Sequence, residues 1–136
     1  MHGLHLTADL YGCRCERALL TDAAQLATWC RSLVRAAGLV AVDERWFGFP
    51  DSAPPGVAPE RGGVTGVVLL AESHFAVHTW PERGGVTLDV YVCNLAQDNS
   101  ARADRLMQQA IAGFGPKRAV THRLIRGDLG AAVTPA

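Results

Sequence analysis

Gly63-Val-Thr-Gly-Val-Val-Leu-Leu-Ala-Glu-Ser-His-Phe-Ala-Val-His-Thr-Trp-Pro-Glu-Arg-Gly-Gly-Val-Thr-Leu-Asp-Val-Tyr-Val-Cys93 carries the strongest pattern in the chain. Residues 64–71 form a continuous β run, residues 74–80 alternate, and Pro81-Glu82-Arg83-Gly84-Gly85 turns the chain into residues 86–93. This predicts three consecutive antiparallel strands. Reactive side chains interrupt the pattern: Glu72-Ser73-His74 divides the first two runs, and His78 and Cys93 follow on strands of their own. A plain core would place valine at such positions, and a conflict of this kind marks a functional site.

Strand side chains alternate between faces. Leu88, Val90 and Val92 therefore share one face, with Thr87, Asp89, Tyr91 and Cys93 on the other. On the preceding run Phe75 and Val77 are the apolar side, leaving His74, Ala76, His78 and Trp80 opposite. His78 and Cys93 are thus expected on one face of adjacent strands. Ser73 is five residues from His78 and falls on the opposite face, so the backbone must turn or break between Ala71 and His74.

Working outward, residues 4–11 alternate as a half-buried strand, with Leu4, Leu6, Ala8 and Leu10 facing helices and His5, Thr7, Asp9 and Tyr11 facing away. Thr21 is a candidate cap for a helix carrying Leu26, Trp29, Cys30, Leu33, Val34 and Ala37, closed by Gly38. Residues 39–42 and 46–49 read as an irregular strand, and 50–63, rich in proline and glycine, as an exposed connector. Beyond Cys93, a helix capped near Asn99 or Ser100 places Ala103, Leu106, Met107, Ala110, Ile111 and Phe114 on one side and ends at Gly113 to Pro116. Residues 118–126 read as the last strand and 127–136 as a loose tail. The order β-α-β-β-β-α-β predicts an α+β fold: a two-layer sandwich, an antiparallel sheet with two helices on one face. The other face, mixing Trp80, Tyr91 and Tyr11 with polar groups, is left to meet a ligand or another subunit.

At 136 residues and 49% hydrophobic, the chain suits a single domain with one core. Lysine plus arginine equals aspartate plus glutamate at 13 each, which predicts no nucleic-acid partner and no anionic membrane surface. No apolar run approaches the roughly 20 residues of a membrane span. Met1-His2-Gly3-Leu4-His5 lacks the features of a signal peptide, so the expected location is cytoplasmic. Cys13, Cys15, Cys30 and Cys93 read as free thiols, and no metal is expected, since Cys13-x-Cys15 is too closely spaced for a zinc motif. Lys117, just after a Gly-Pro turn, is the only lysine, which argues against pyridoxal phosphate (PLP).

Taken singly, Ser73, His78 and Cys93 suit a surface hydroxyl, a hydrogen-bonded imidazole and a buried thiol. The stretch lacks the Gly-x-Ser-x-Gly elbow of a serine hydrolase and any local signature of a cysteine protease. As a set the residues are more telling. Gly63-Val64-Thr65-Gly66-Val67-Val68, Ala71-Glu72-Ser73-His74, His78-Thr79-Trp80-Pro81-Glu82 and Asp89-Val90-Tyr91-Val92-Cys93 closely resemble the short prokaryotic S-adenosylmethionine decarboxylases. Gly3-Leu4-His5-Leu6 with Tyr11-Gly12-Cys13 is similar to the start of that family.

The resemblance implies a self-processing proenzyme, cut between Glu72 and Ser73 into a β chain (1–72) and an α chain (73–136). The α chain would begin with a pyruvoyl group made from Ser73, which forms a Schiff base with S-adenosylmethionine. The product is the aminopropyl donor for polyamine (spermidine) synthesis. By the same resemblance His78 is the proton acceptor in processing, with Thr65 assisting where relatives often carry serine. Cys93 is the proton donor in decarboxylation, Glu82 holds the ribose, and an aromatic near Phe47 or Phe49 stacks on adenine. Gly85 and Asn94 are further departures that, with Thr65, are expected to touch the substrate pocket. A homodimer of cleaved protomers is the implied assembly. Two alternatives stay open: a sister pyruvoyl enzyme acting on ornithine or arginine, with Asp89 binding the distal cation, and an unprocessed binding or regulatory relative.

Overall fold

The structure is a computed structural model and describes residues 2–127. Six antiparallel strands form one sheet, β1 (His2–Tyr11), β2 (Ala41–Gly48), β3 (Val64–Leu70), β4 (Ser73–Trp80), β5 (Gly85–Cys93) and β6 (Arg118–Gly127), in the order β2-β3-β4-β5-β1-β6. Helices α1 (Arg17–Thr21) and α2 (Ala23–Ala36) lie between β1 and β2, and α3 (Ser100–Phe114) lies between β5 and β6.

The α+β sandwich expected from the sequence is present. The irregular 39–49 stretch proves to be a full strand with one register shift between Ala41 and Asp43, so the sheet has one strand more than the predicted order counted. The short α1 was not anticipated, because five residues are too few to display helical periodicity. The predicted cap also moves by one residue. Asp22 Oδ1 accepts the N–H groups of Ala24 at 3.0 Å and Gln25 at 3.2 Å, whereas the Thr21 hydroxyl donates back to the Arg17 carbonyl. An acceptor-only carboxylate satisfies two orphan donors of a helix start, which a hydroxyl already spent on the preceding turn cannot. The tail expected at 127–136 lies outside the described residues except for Gly127, which closes β6.

The core is the one the alternation assigned. Leu4, Ala8 and Leu10 of β1, Phe75 and Val77 of β4 and Val86, Leu88, Val90 and Val92 of β5 are buried against Leu26, Cys30 and Val34 of α2 and Leu106, Ala110 and Phe114 of α3. Each larger side chain contributes about 1.5–3 kcal/mol by leaving water. Trp29 meets Phe114 edge to face, ring centroids 5.0 Å apart, and occupies the space a side chain on Gly113 would need. Among the described residues no helix covers the opposite sheet face, where Tyr11 and Trp80 are exposed. Among the described residues no helix is long and apolar enough to cross a membrane.

Candidate active site

The bond between Glu72 and Ser73 lies in the tightest turn of the sheet. Leu70 pairs with Ser73, so Ala71 and Glu72 alone reverse the chain from β3 to β4. Glu72 takes a φ of 62°, the only positive value at a non-glycine among the described residues. The left-handed region costs a residue with a Cβ about 1–2 kcal/mol. In a Ser73→Ala background, where the chain stays whole, Glu72→Gly is therefore expected to raise the unfolding free energy by up to about 1 kcal/mol after its own chain-entropy cost. Denaturant titration measures this, and a loss of stability would show that the turn carries no strain.

Ser73 is held against the neighbouring strand, where its Oγ accepts the backbone N–H of Cys93 at 3.1 Å. The far side of Cys93 is also fixed. Its carbonyl accepts from Asn99 Nδ2 at 2.9 Å, while Asn94 Oδ1 accepts the Asn99 N–H at 2.8 Å and Asn94 Nδ2 donates to Ser100 Oγ at 3.1 Å. Asn94 thus spends its side chain on the turn into α3, a role its sequence context did not reveal. The other cysteines are not poised as nucleophiles. Burial, with a contribution from Cys15, pushes the Cys13 thiol up to about 11, and burial also raises Cys15 and Cys30.

A second group occupies the other end of β4. Thr65 and His78 face each other across β3 and β4, with Thr65 Oγ1 and His78 Nδ1 2.9 Å apart. Both line a cleft of about 340 Å³ together with Phe49 and Glu82. The Thr79 hydroxyl clamps this end from beneath, accepting the Val64 N–H at 2.8 Å and donating to the Leu20 carbonyl at 2.7 Å. Arg17 donates to the Pro81 carbonyl at 2.8 Å and so steadies the turn that presents Glu82. Gly63 passes so close to Thr79 that a Cβ would lie 2.2 Å from its carbonyl oxygen. The 50–63 connector is exposed as expected, yet Ser52, Glu60 and Arg61 also line the cleft. It is fastened at its base by Phe49 N–H to the Gly63 carbonyl at 2.8 Å and by paired Ser52 and Glu60 bonds at 3.0 Å. Phe47 and Phe49 meet edge to face at 5.0 Å, with Phe49 in the cleft.

His78 and Cys93 share the open face, but they are far apart. His78 pairs with Thr87, six residues before Cys93 on β5, a separation of about 20 Å at 3.3 Å per residue. Ser73 and His78 lie about 17 Å apart by the same rise along β4. One chain therefore holds two half-sites: Cys93 on the open face, with Ser73 bonded to its backbone from the helix side, at one end of the sheet, and Thr65, His78 and Glu82 at the other.

Between them lies a group the sequence did not bring together. His5 Nε2 is 2.8 Å from Asp89 Oδ2, and His74 Nε2 is 2.8 Å from Asp89 Oδ1. Tyr91 stacks on His74 with centroids 5.8 Å apart and stands edge-on to His5 at 5.9 Å. Alternation had placed all four on one face, but their meeting depends on β1 lying beside β5, which no local pattern encodes. Both Asp89 oxygens are engaged by imidazoles, Oδ2 by His5 and Oδ1 by His74.

The S-adenosylmethionine decarboxylase family model matches residues 4–127. The chain is 35% identical over 116 residues to the S-adenosylmethionine decarboxylase proenzyme of Aquifex aeolicus (strain VF5), covering 85% of this chain and 74% of the relative. It is 37% identical over 118 residues to that of Pyrobaculum aerophilum, covering 85% and 81%. The crystal structure of the adenosylmethionine decarboxylase from Aquifex aeolicus VF5 superposes with a TM-score of 0.78 at 32% identity, covering 98% of this chain and 97% of that one.

Proposed function

The chain belongs to the S-adenosylmethionine decarboxylase family, and from that premise we propose that it decarboxylates S-adenosylmethionine with a carbonyl made from its own Ser73. The observation that carries this reading is the left-handed Glu72 at the bond to be cut, with Ser73 held beside Cys93. Strain held at that turn is relieved when the bond beside it is cut.

In the cutting reaction Ser73 Oγ adds to the Glu72 carbonyl carbon, and the Glu72–Ser73 C–N bond breaks to leave an ester. His78, with Nδ1 hydrogen-bonded to Thr65, removes the Ser73 Cα proton as the ester C–O bond breaks and the Glu72 carboxylate departs. Water then replaces the nitrogen, which leaves as ammonia. The pyruvoyl group so formed at position 73 supplies a ketone that takes up the substrate amine and holds the electron pair released with CO2. Nothing in this sequence requires a lysine, consistent with Lys117 being exposed.

His78 cannot serve Ser73 of its own chain across about 17 Å. A second copy packed by a two-fold axis against the open face, with strands running oppositely, brings Thr65, His78 and Glu82 of one chain to Ser73 and Cys93 of the other. The homodimer in this reading completes the site. Glu82 then accepts hydrogen bonds from the ribose hydroxyls, Phe49 lies against adenine, and Cys93 gives a proton to Cα after CO2 leaves.

Denaturing mass spectrometry of the purified chain is expected to give fragments ending at Glu72 and beginning at position 73, with labelled CO2 released from S-adenosylmethionine but not from ornithine or arginine. Cys93→Ala is expected to cut normally yet decarboxylate about 10²–10⁴-fold more slowly, the range for loss of a positioned proton donor. A single full-length species without CO2 release would overturn the proposal, and release from a basic amino acid would overturn the substrate.

A further inference from the structure

We propose that His74, held by Asp89 and backed by His5, is the base that removes the proton from the substrate's ammonium group. The inference deepens the reading above and rests on it. Among the described residues, one carboxylate faces two imidazoles through separate oxygens, each at 2.8 Å from an Nε2. An ionised carboxylate only accepts, so each Nε2 carries its hydrogen toward Asp89, and a ring in its neutral form then keeps its lone pair on Nδ1. A carboxylate plays the same part in a Ser-His-Asp triad, fixing the tautomer and favouring the imidazolium once a proton arrives. Three strands hold the group in place: His5 on β1, His74 on β4 and Asp89 on β5.

Its position fits the task. His74 follows Ser73 in β4, so its side chain turns to the opposite, open face, where it pairs with Tyr91, two residues before Cys93 on that same face. The Tyr91 ring reaches over Gly3, the residue opposite Cys93, so closely that a Cβ there would lie 2.7 Å from the phenol oxygen. Tyr91 thus extends from the triad toward the level of Cys93 on the same face. The other titratable groups on this face are Tyr91 and Cys93 on β5, Asp9 and Tyr11 on β1, His78 on β4, Asp43 and Arg45 on β2, and Arg118, His122 and Arg126 on β6, with Arg126 over the Tyr91 ring at 5.0 Å.

The reaction needs such a base. An α-amino group titrates near pH 7.7–8.0, so at neutral pH most substrate arrives as ammonium, which has no lone pair to add to a carbonyl. His74 Nδ1 takes that proton and becomes imidazolium. Cys93 later gives its own proton to Cα and is left as thiolate, which takes up the proton held by His74. The product amine gains a proton from solvent as it leaves, so one solvent proton is consumed for each CO2.

The first test does not need a loaded site. Nitrogen-15 spectra of the full-length Ser73→Ala chain are expected to show His5 and His74 as Nε2–H tautomers, with that signature lost in Asp89→Asn. A His74 Nδ1–H tautomer would overturn the proposal. The second uses enzyme shown by mass to be cut. His74→Gln is expected to lower kcat/KM about 10-fold near pH 7 and by less than about 2-fold near pH 9, because the substrate amine then sheds its own proton. Asp89→Asn acts through His74 and is expected to show the same recovery, which a merely structural loss would not. A deficit that stays constant with pH, or stoichiometric Zn2+ binding abolished by Asp89→Asn, would overturn it. An uncut, inactive wild type would instead sink the parent reading.

Discussion

Ser73→Ala is expected to yield one uncut 136-residue chain whose CO2 release from S-adenosylmethionine does not exceed the uncatalysed background. The effect is all or none because two functions reside in one oxygen. Without Oγ there is no nucleophile for the Glu72 carbonyl, and without the cut no ketone exists to receive the substrate. Loss of fold is not the explanation the geometry allows. Oγ makes one hydrogen bond, to the Cys93 N–H at 3.1 Å, and losing one such bond costs about 1 kcal/mol. In a chain of this size that lowers Tm by no more than about 5 °C. Mass spectrometry, a ketone-trapping reagent and a thermal melt together decide the matter. Fragments at the wild-type masses would remove Ser73 from the chemistry, and a collapsed melt would leave the loss attributable to unfolding.

How far the sequence could be read depends on whether a feature is local. Period-two alternation located the open face, and with it His5, His74, His78, Asp89 and Cys93, because each strand carries its own record of sidedness. The reversal before His74 was also legible, since Glu72-Ser73-His74 divides two β runs, although β4 then runs unbroken from Ser73 and leaves Ser73 and His78 on opposite faces. Sidedness says nothing of distance. His78 and Cys93 read as neighbours because their strands are adjacent, yet antiparallel register places them at opposite ends. The His5, Asp89 and His74 contacts were hidden for a related reason: β1 enters the sheet between β5 and β6, a long-range pairing that no local pattern records. The 50–63 connector is exposed as its composition predicts, but composition does not show that its base is fastened beside a cleft or that the Asn94 amide closes the turn into α3.

Co-expression of two uncut variants tests the division of the site most sharply. Ser73→Ala lacks the nucleophile and His78→Ala lacks the base, so each is expected to remain whole when made alone. In a mixed pair, Ser73 of the His78→Ala chain meets His78 of the Ser73→Ala chain, and that one junction is complete. Random two-fold pairing places about half of the His78→Ala chains in mixed dimers, so about half should be cut. The Ser73→Ala chains should stay intact, which distinguishes the two by mass. If cutting required both groups in one chain, no mixture would produce fragments, whatever the stoichiometry. The roughly 17 Å between Ser73 and His78 along β4 makes that outcome the one the geometry forbids. Its appearance, in a preparation shown to contain mixed dimers, would mean that His78 acts on something other than the Ser73 junction.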